Sequence, residues 1–372
     1  MSGIHHFVPV LHRGDAVGRH TLRLRDASRA RGFASEIYVD TVEPETEGET
    51  LPVLSYAETA RPDDVVVYQF ATASAMAPWL AGRAETLVVN YHNITPPSLM
   101  APWDNHLALG QVRAQDDLRL LAPRAALAIA DSAYNEAHLI ASGFAATAVV
   151  PPSAALDDAL EEPQPAAPAA AGHEPASVGG ARWLAVGRVS PNKALEATIA
   201  ALAVARAHDD PEATLLIVGK PATPSYVAAL QRFVAEMGLS GAVRFTGHAS
   251  DATVAAAYAE ADVLVVTSEH EGFCVPVVEA MAGGLPVVAF DQGAVPEVLG
   301  DAGVLVPDKN PYALAASIGA VLADAARRDA LAAAASRRLR ALDLVGAADR
   351  FVSLLVPLVG QGAGVGAGRR SR

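Results

Sequence analysis

The chain has 372 residues, 51% apolar and 19% charged, with a formal net charge of −13 and one cysteine. That length exceeds what one hydrophobic core usually spans, so two domains are expected, and the apolar content excludes a mainly disordered chain. The acidic total argues against a protein that coats nucleic acid, and a single thiol, Cys274, builds no disulfide framework and fits a reducing compartment.

The start of the chain, Met1–Asp15, has no basic stretch followed by an apolar one, so no signal peptide is expected. Near-continuous apolar runs then mark candidate strands at Ile4–Leu11, Ser35–Asp40, Val65–Phe70, Thr86–His92, Ala125–Asp131 and Thr147–Val150, with helical patterns such as Arg19–Arg31 and Gln111–Leu121 between them. The uncharged stretch Val65–Gly82 contains Gln69, several Ser/Thr and Pro78, so no membrane span is read there. His5 and His6 read as packing or edge residues of the first strand. The five arginines between Gly18 and Gly32 fall on several helix faces and read as solvated surface. This alternation is that of a doubly wound α/β domain, residues 1–150. Residues 151–180, rich in Pro and Ala, read as a semi-rigid linker. A second α/β series, 181–342, has strands at Trp183–Val186, Thr214–Val218, Val243–Thr246, Val263–Thr267, Pro286–Phe290 and Gly303–Val306, and ends in helices near Pro311–Ala323 and Ala325–Leu342. A last apolar helix lies in 343–359, and the Gly-rich, then basic tail 360–372 is expected to be disordered.

Two segments carry chemistry. Gly187-Arg188-Val189-Ser190-Pro191-Asn192-Lys193 follows a strand and precedes a helix, which puts a permissive turn and two cations at the carboxyl end of a strand, where α/β sheets bind ligands. Arg and Lys both suit phosphate oxygens. Taken alone, the segment reads rather as a solvated turn with two surface cations, since such turns are common. In Ser268–Met281, a strand leads into a helix that begins near Val275 with Pro276 in its first turn. The backbone N–H groups of Gly272, Phe273, Cys274 and Val275 would face outward there as an anion site. Glu271 and Glu279 stand in the loop and two turns along the helix, and carboxylates accept hydrogen bonds from sugar hydroxyls.

Glu271 and Glu279 have seven residues between them, and the pattern resembles the E-x7-E signature of retaining glycosyltransferase family 4. The surrounding runs Tyr258–Ser268, Ala280–Val288 and Gly293–Val298 resemble that family too, as does the Gly187-Arg188…Lys193 turn. The resemblance is close over Trp183–Leu342 and looser before it. It implies the GT-B fold: two Rossmann-like doubly wound parallel-sheet domains, the first on the acceptor side and the second binding the nucleotide-sugar, with the last helix crossing back to the first. It implies that Arg188 and Lys193 bind the donor diphosphate, Glu279 the ribose and Glu271 a sugar hydroxyl. The amides at Gly272–Val275 would hold the distal phosphate, and His248 beside Gly247 would wall the base pocket. In the first domain, His92 resembles the family histidine near the reaction centre, with Asn93 beside it. Gly14, Asp15 and Gly18 form the loop after the first strand. Many family members have adjacent glycines there, whereas here they are separated. Asp131 faces the cleft or belongs, with Ser132, to a helix cap.

The function so implied is transfer of a hexose-type sugar from a UDP- or GDP-linked donor to an acceptor hydroxyl with retained configuration. No D-x-D and no Cys/His cluster of zinc spacing occurs in the sequence, so neither metal nor cofactor is expected. The expected setting is cytoplasmic, with no transmembrane segment and with peripheral membrane contact and oligomeric state left open. Alternatives are a nucleotide-sugar 2-epimerase on a similar fold and a non-catalytic sugar-nucleotide or glycan binder. A dinucleotide oxidoreductase is disfavoured because no G-x-G-x-x-G follows a first strand.

Overall fold

The structure, a computed structural model, describes residues 2–153 and 179–360. Most of the linker read at 151–180 and all but the first residue of the tail read at 360–372 lie outside the described residues. The chain divides into two compact units. The first takes the described residues within Met1–Ile94, Leu109–Ala155 and Leu344–Arg372, and the second those within Thr95–Ala108 and Leu156–Asp343. This differs from boundaries drawn along the sequence in one place: 95–108 goes with the second unit. The last helix goes with the first.

The first unit is built on a seven-stranded sheet of β1 (Ile4–Val10), β2 (Ile37–Thr41), β3 (Thr50–Pro52), β4 (Val65–Phe70), β5 (Thr86–Tyr91), β6 (Ala125–Ala130) and β7 (Thr147–Val149). All pairings are parallel, in the order β3-β2-β1-β4-β5-β6-β7. β1 is therefore central, not an edge: Phe7 pairs with Tyr38 on one side and Tyr68 on the other. β3 escapes sequence reading because it is three residues long and ends in a proline, which only an edge tolerates. The helix Ala16–Ala30 turns Thr21, Leu24, Arg25 and Ser28 inward at three- and four-residue spacing. Arg25 is buried, with its Nε 2.8 Å from Asp26 Oδ1, so this arginine-rich helix is not solvated all round. Gly18 on the same helix admits no side chain, since a Cβ would stand 1.8 Å from the His12 carbonyl oxygen. The closing helix Ala347–Leu355 buries Ala347, Phe351, Val352 and Leu355 against Ile4, Leu24, Val65 and Val67.

The second unit carries a six-stranded parallel sheet of β8 (Arg182–Val186), β9 (Thr214–Val218), β10 (Val243–Phe245), β11 (Val263–Val266), β12 (Val287–Phe290) and β13 (Val304–Val306), in the order β10-β9-β8-β11-β12-β13. Trp183, Leu215, Val265 and Ile318 belong to one continuous core. Trp103 joins it edge-on to Tyr226, ring centroids 4.9 Å apart, and its carbonyl accepts from Ser225 Oγ at 2.7 Å, which explains why 95–108 belongs here. In each sheet the strand order reverses beside the first strand, between β1 and β4 and between β8 and β11. Such a switch point opens a crevice at the strands' carboxyl ends.

Candidate functional site

In the second unit the switch point gathers most of the residues singled out in its sequence. Gly187 directly follows β8, and its N–H still donates to Val218 O at 2.9 Å. Its φ is +131°, which favours glycine, and a Cβ there would press on Lys193 Cε and Nζ at 3.2 Å. Arg188, the next residue, is exposed. The chain then makes a 3-10 turn, Pro191–Lys193, and enters the helix Leu195–His208 through Ala194 at φ +46°. Thr267 Oγ1, at the end of β11, lies 3.1 and 3.0 Å from the carbonyls of Lys193 and Ala194 and fixes that turn to the next strand.

Lys193 reaches back to donate from Nζ to Glu271 Oε1 at 2.5 Å. Burial pulls the ammonium down, but the Glu271 carboxylate and its hydrogen bond outweigh that, and the group stands above its ordinary value. The loop bearing Glu271 is stapled on both sides. Asn192 Nδ2 donates to His270 O at 3.1 Å, Glu269 N to Asn192 O at 2.8 Å and Ala294 N to Glu271 O at 3.1 Å. Gly293, at φ +64°, lets its backbone pass; a Cβ would come within 3.0 Å of Glu271 N and O. Gly187, Arg188, Lys193, Ser268, Glu271 and Cys274 line one pocket at this end of the sheet.

Cys274 caps the helix Val275–Ala282 with a left-handed backbone, φ +74°, and Pro276 follows within its first turn. Burial pushes the Cys274 thiol far up, so it is a neutral packing group. Gly272 and Phe273 are buried beside it and Val275 is half-buried. Glu279, one face along, accepts from Tyr258 OH at 2.6 Å. His248 is exposed just past β10, next to Gly247 at φ +69°. Sequence reading missed Tyr258 as a site partner, and also Gly219, at φ +152°, whose Cβ would collide with Gly187 O at 1.9 Å. A glycine directly after a strand is the signal that marked it.

The first unit has its own cluster at the carboxyl ends of its strands. His92 follows β5 with its side chain 4% exposed, and both ring nitrogens are occupied: Nδ1 lies 3.0 Å from Asp131 Oδ2 and Nε2 lies 2.8 Å from Gln69 Oε1. Gln69 leads to Asn90, and Asn90 to His20, at 2.8 and 3.0 Å. Asn93 follows His92 at φ +86°. Asp131 pairs with His92, while Ser132 caps the helix Ala133–Ala141 and accepts from Asn135 N at 3.1 Å. Asp15 caps the helix Ala16–Ala30 through its Oδ1, 2.7 Å from Gly18 N, and Gly14 is exposed beside it. His5 and His6 are packing residues: His5 lies against Tyr38 and Tyr56, and His6 is wholly buried. Among the described residues no three His, Cys, Asp or Glu side chains are grouped to hold a metal ion, and no helix is long and apolar enough to cross a membrane.

Residues 180–324, the span containing the Arg188, Lys193 and Glu271 pocket, match the family model of the group 1 glycosyl transferases. The D-inositol 3-phosphate glycosyltransferase of Jonesia denitrificans is 34% identical over 156 residues, 41% of this chain and 37% of the relative. That of Geodermatophilus obscurus is 31% identical over 296 residues, 74% of this chain and 64% of the relative. The alignments thus span under two thirds of these relatives' lengths. Anabaena HepE, solved in complex with UDP, superposes with a TM-score of 0.72 over 95% of this chain and 100% of its own at 21% identity. The fold is the GT-B fold that the sequence led us to expect.

Proposed function

We propose that the chain is a retaining glycosyltransferase that moves a hexose-type sugar from a UDP- or GDP-linked donor to an acceptor hydroxyl without a metal ion. The observation that carries this reading is the Lys193–Glu271 pair beside the exposed Arg188, set at the switch point ahead of the helix Val275–Ala282 with Glu279 further along it. The similarity to group 1 glycosyl transferases over that span, and a structural neighbour solved with UDP, support it.

In the reaction as we read it, Arg188, Lys193 and the amides of Gly272–Val275 stabilise the charge that develops on the diphosphate as its bond to the anomeric carbon breaks. Lys193 is suited to this because Glu271 keeps it charged inside the pocket. Glu271 also offers its second carboxylate oxygen to a sugar hydroxyl, and Glu279 receives the ribose. The acceptor oxygen forms the new bond on the face the diphosphate leaves, and its proton passes to a phosphate oxygen, so no protein base is required. Gly14, Asp15, Gly18, His92, Asn93 and Asp131 belong to the acceptor side, and the expected setting is cytoplasmic.

The test is thermal unfolding with UDP, GDP, ADP, dTDP and NAD in EDTA. A ligand that binds only the folded state at about 100 times its dissociation constant adds about 2.7 kcal/mol. One nucleoside diphosphate should stabilise the wild type and not Arg188→Ala, which alters an exposed side chain and leaves the fold intact. Lys193→Ala should abolish binding as well, but it strands the Glu271 carboxylate and should lower stability by about 3 kcal/mol. Stabilisation by none of them, or by NAD alone, overturns the reading.

A further inference from the structure

The donors and acceptors around His20 do not balance as the amides stand. Ser153 N–H donates to His20 Nδ1 at 3.1 Å and so makes that nitrogen the acceptor; Ser153 Oγ, 2.9 Å from the same nitrogen, then turns its hydroxyl proton toward it, while the Asn90 amide nitrogen approaches His20 Nε2 at 3.0 Å. A neutral imidazole has a lone pair on only one of its two nitrogens, and a charged one has none. Burial, followed by the neighbouring His92, His6 and Arg23, holds His20 neutral. A primary amide turned through 180° exchanges its nitrogen and oxygen and moves no other atom. Turning Asn90 places its oxygen against His20 Nε2–H. The same oxygen then lies 2.8 Å from the Gln69 amide, which must turn too and present its nitrogen. Gln69 then donates to Asn90 and to His92 Nε2, 2.8 Å away, and its oxygen faces His6 Nδ1 at 3.3 Å. His6, neutral with its pKa held down to about 3 by burial, can carry its single proton on that nitrogen. One Asn90 amide atom stays without a partner in either orientation.

We infer that Gln69 is a positioning residue that sets the protonation state of His92. With the Gln69 nitrogen facing it, His92 Nε2 is an acceptor, and the ring is neutral with its one proton on Nδ1, donated to Asp131. With the oxygen facing it, Nε2 must carry a proton in addition to the one shared between Nδ1 and Asp131. The Ser153 backbone N–H selects the first arrangement by way of His20 and Asn90. Nothing in the spacing of His20, Gln69, Asn90 and Ser153 along the chain discloses this relay. The ionisable groups around it are Asp131 at His92, His6 at Gln69, and Arg23, whose guanidinium bonds the Ser153 carbonyl. Any effect on sugar transfer rests on the proposed function, whereas the protonation pattern does not.

The experiment is a long-range proton–nitrogen correlation spectrum of the full chain with ¹⁵N-labelled histidine at pH 7, each ring assigned by its loss in a single His→Asn variant. The expected pattern is His20 protonated on Nε2 alone and His92 on Nδ1 alone. Gln69→Glu, which can only accept, should convert His92 to the doubly protonated form. His20 protonated on Nδ1, a doubly protonated His92 in the wild type, or a His92 unchanged in folded Gln69→Glu would overturn the inference. The wild-type pattern, once assigned through the His→Asn variants, decides the matter even if Gln69→Glu does not fold. With an active donor, Gln69→Glu should lower kcat at an unchanged donor KM. A switched His92 with unaltered kcat supports the relay and removes His92 from the transfer step, so the two readings fail separately.

Discussion

Tyr258 is a polar partner of Glu279: its hydroxyl donates to Glu279 Oε2 at 2.6 Å from the helix Asp251–Glu260. Burial, followed by the Glu279 carboxylate, pushes the phenol well above its ordinary value, so it stays a donor throughout the working pH range. A hydrogen bond to a charged group is worth about 1.5–3 kcal/mol. Under the proposed function, Tyr258→Phe should therefore weaken nucleoside diphosphate binding about tenfold and leave kcat at saturating donor unchanged. Titration calorimetry with the nucleotide that stabilises the wild type checks this, and undiminished affinity would remove Glu279 from the ribose site. Glu271 and Glu279 could be read from the sequence because their spacing along the chain is the signal. Tyr258 and Gln69 could not, because each meets its partner across elements, 21 and 23 residues away.

At the scale of elements, long apolar runs made the central strands legible, since a strand buried on both faces has few polar residues to blur it. β3 was illegible for the opposite reason, being short and lying at an edge. The helix Ala16–Ala30 was misread because four arginines mask its inward face, and Arg25 lies on that face. β1 and this helix together bury His5, His6 and His20, all with lowered pKa. Such a histidine takes up its proton only in the unfolded chain, so its contribution is full above the ordinary value of 6.5 and is lost as pH falls toward the folded value. For His6 that value is about 3. His6 alone should then cost about 2 kcal/mol of stability between pH 7 and pH 5. Urea denaturation followed at the two pH values should show a lower midpoint at pH 5, and His6→Asn should flatten the dependence. An unchanged midpoint from pH 7 to 5 would mean that these rings are charged in the folded state.

Over the whole molecule, the sequence showed two α/β series but not how the chain is shared between them. Apolar periodicity identifies a helix in 343–359 without saying which sheet it covers, which the family resemblance alone implied, and 95–108 carries too little periodicity to be placed at all. In the structure, Phe351 sits wholly buried among Ile4, Leu24, Val65 and Val67, residues of the first unit. The pocket of Arg188, Lys193 and Glu271 is made entirely from the second. Phe351→Ala should therefore cost about 3–5 kcal/mol, felt in the first unit, through lost burial and the cavity left behind. Under the proposed function, nucleotide binding should add its stabilisation in the second, because binding acts on whatever must stay folded to make the site. Native-state hydrogen exchange read peptide by peptide separates the two. Phe351→Ala should lower protection in β1 and β4, whereas the stabilising nucleotide should raise it at the ends of β8 and β11, around Gly187–Lys193 and Ser268–Val275, by the same factor in wild type and variant. If instead Phe351→Ala removed the nucleotide's protection of Gly187–Lys193, the donor site would depend on the first unit's core, and a pocket built from second-unit side chains alone would not account for it.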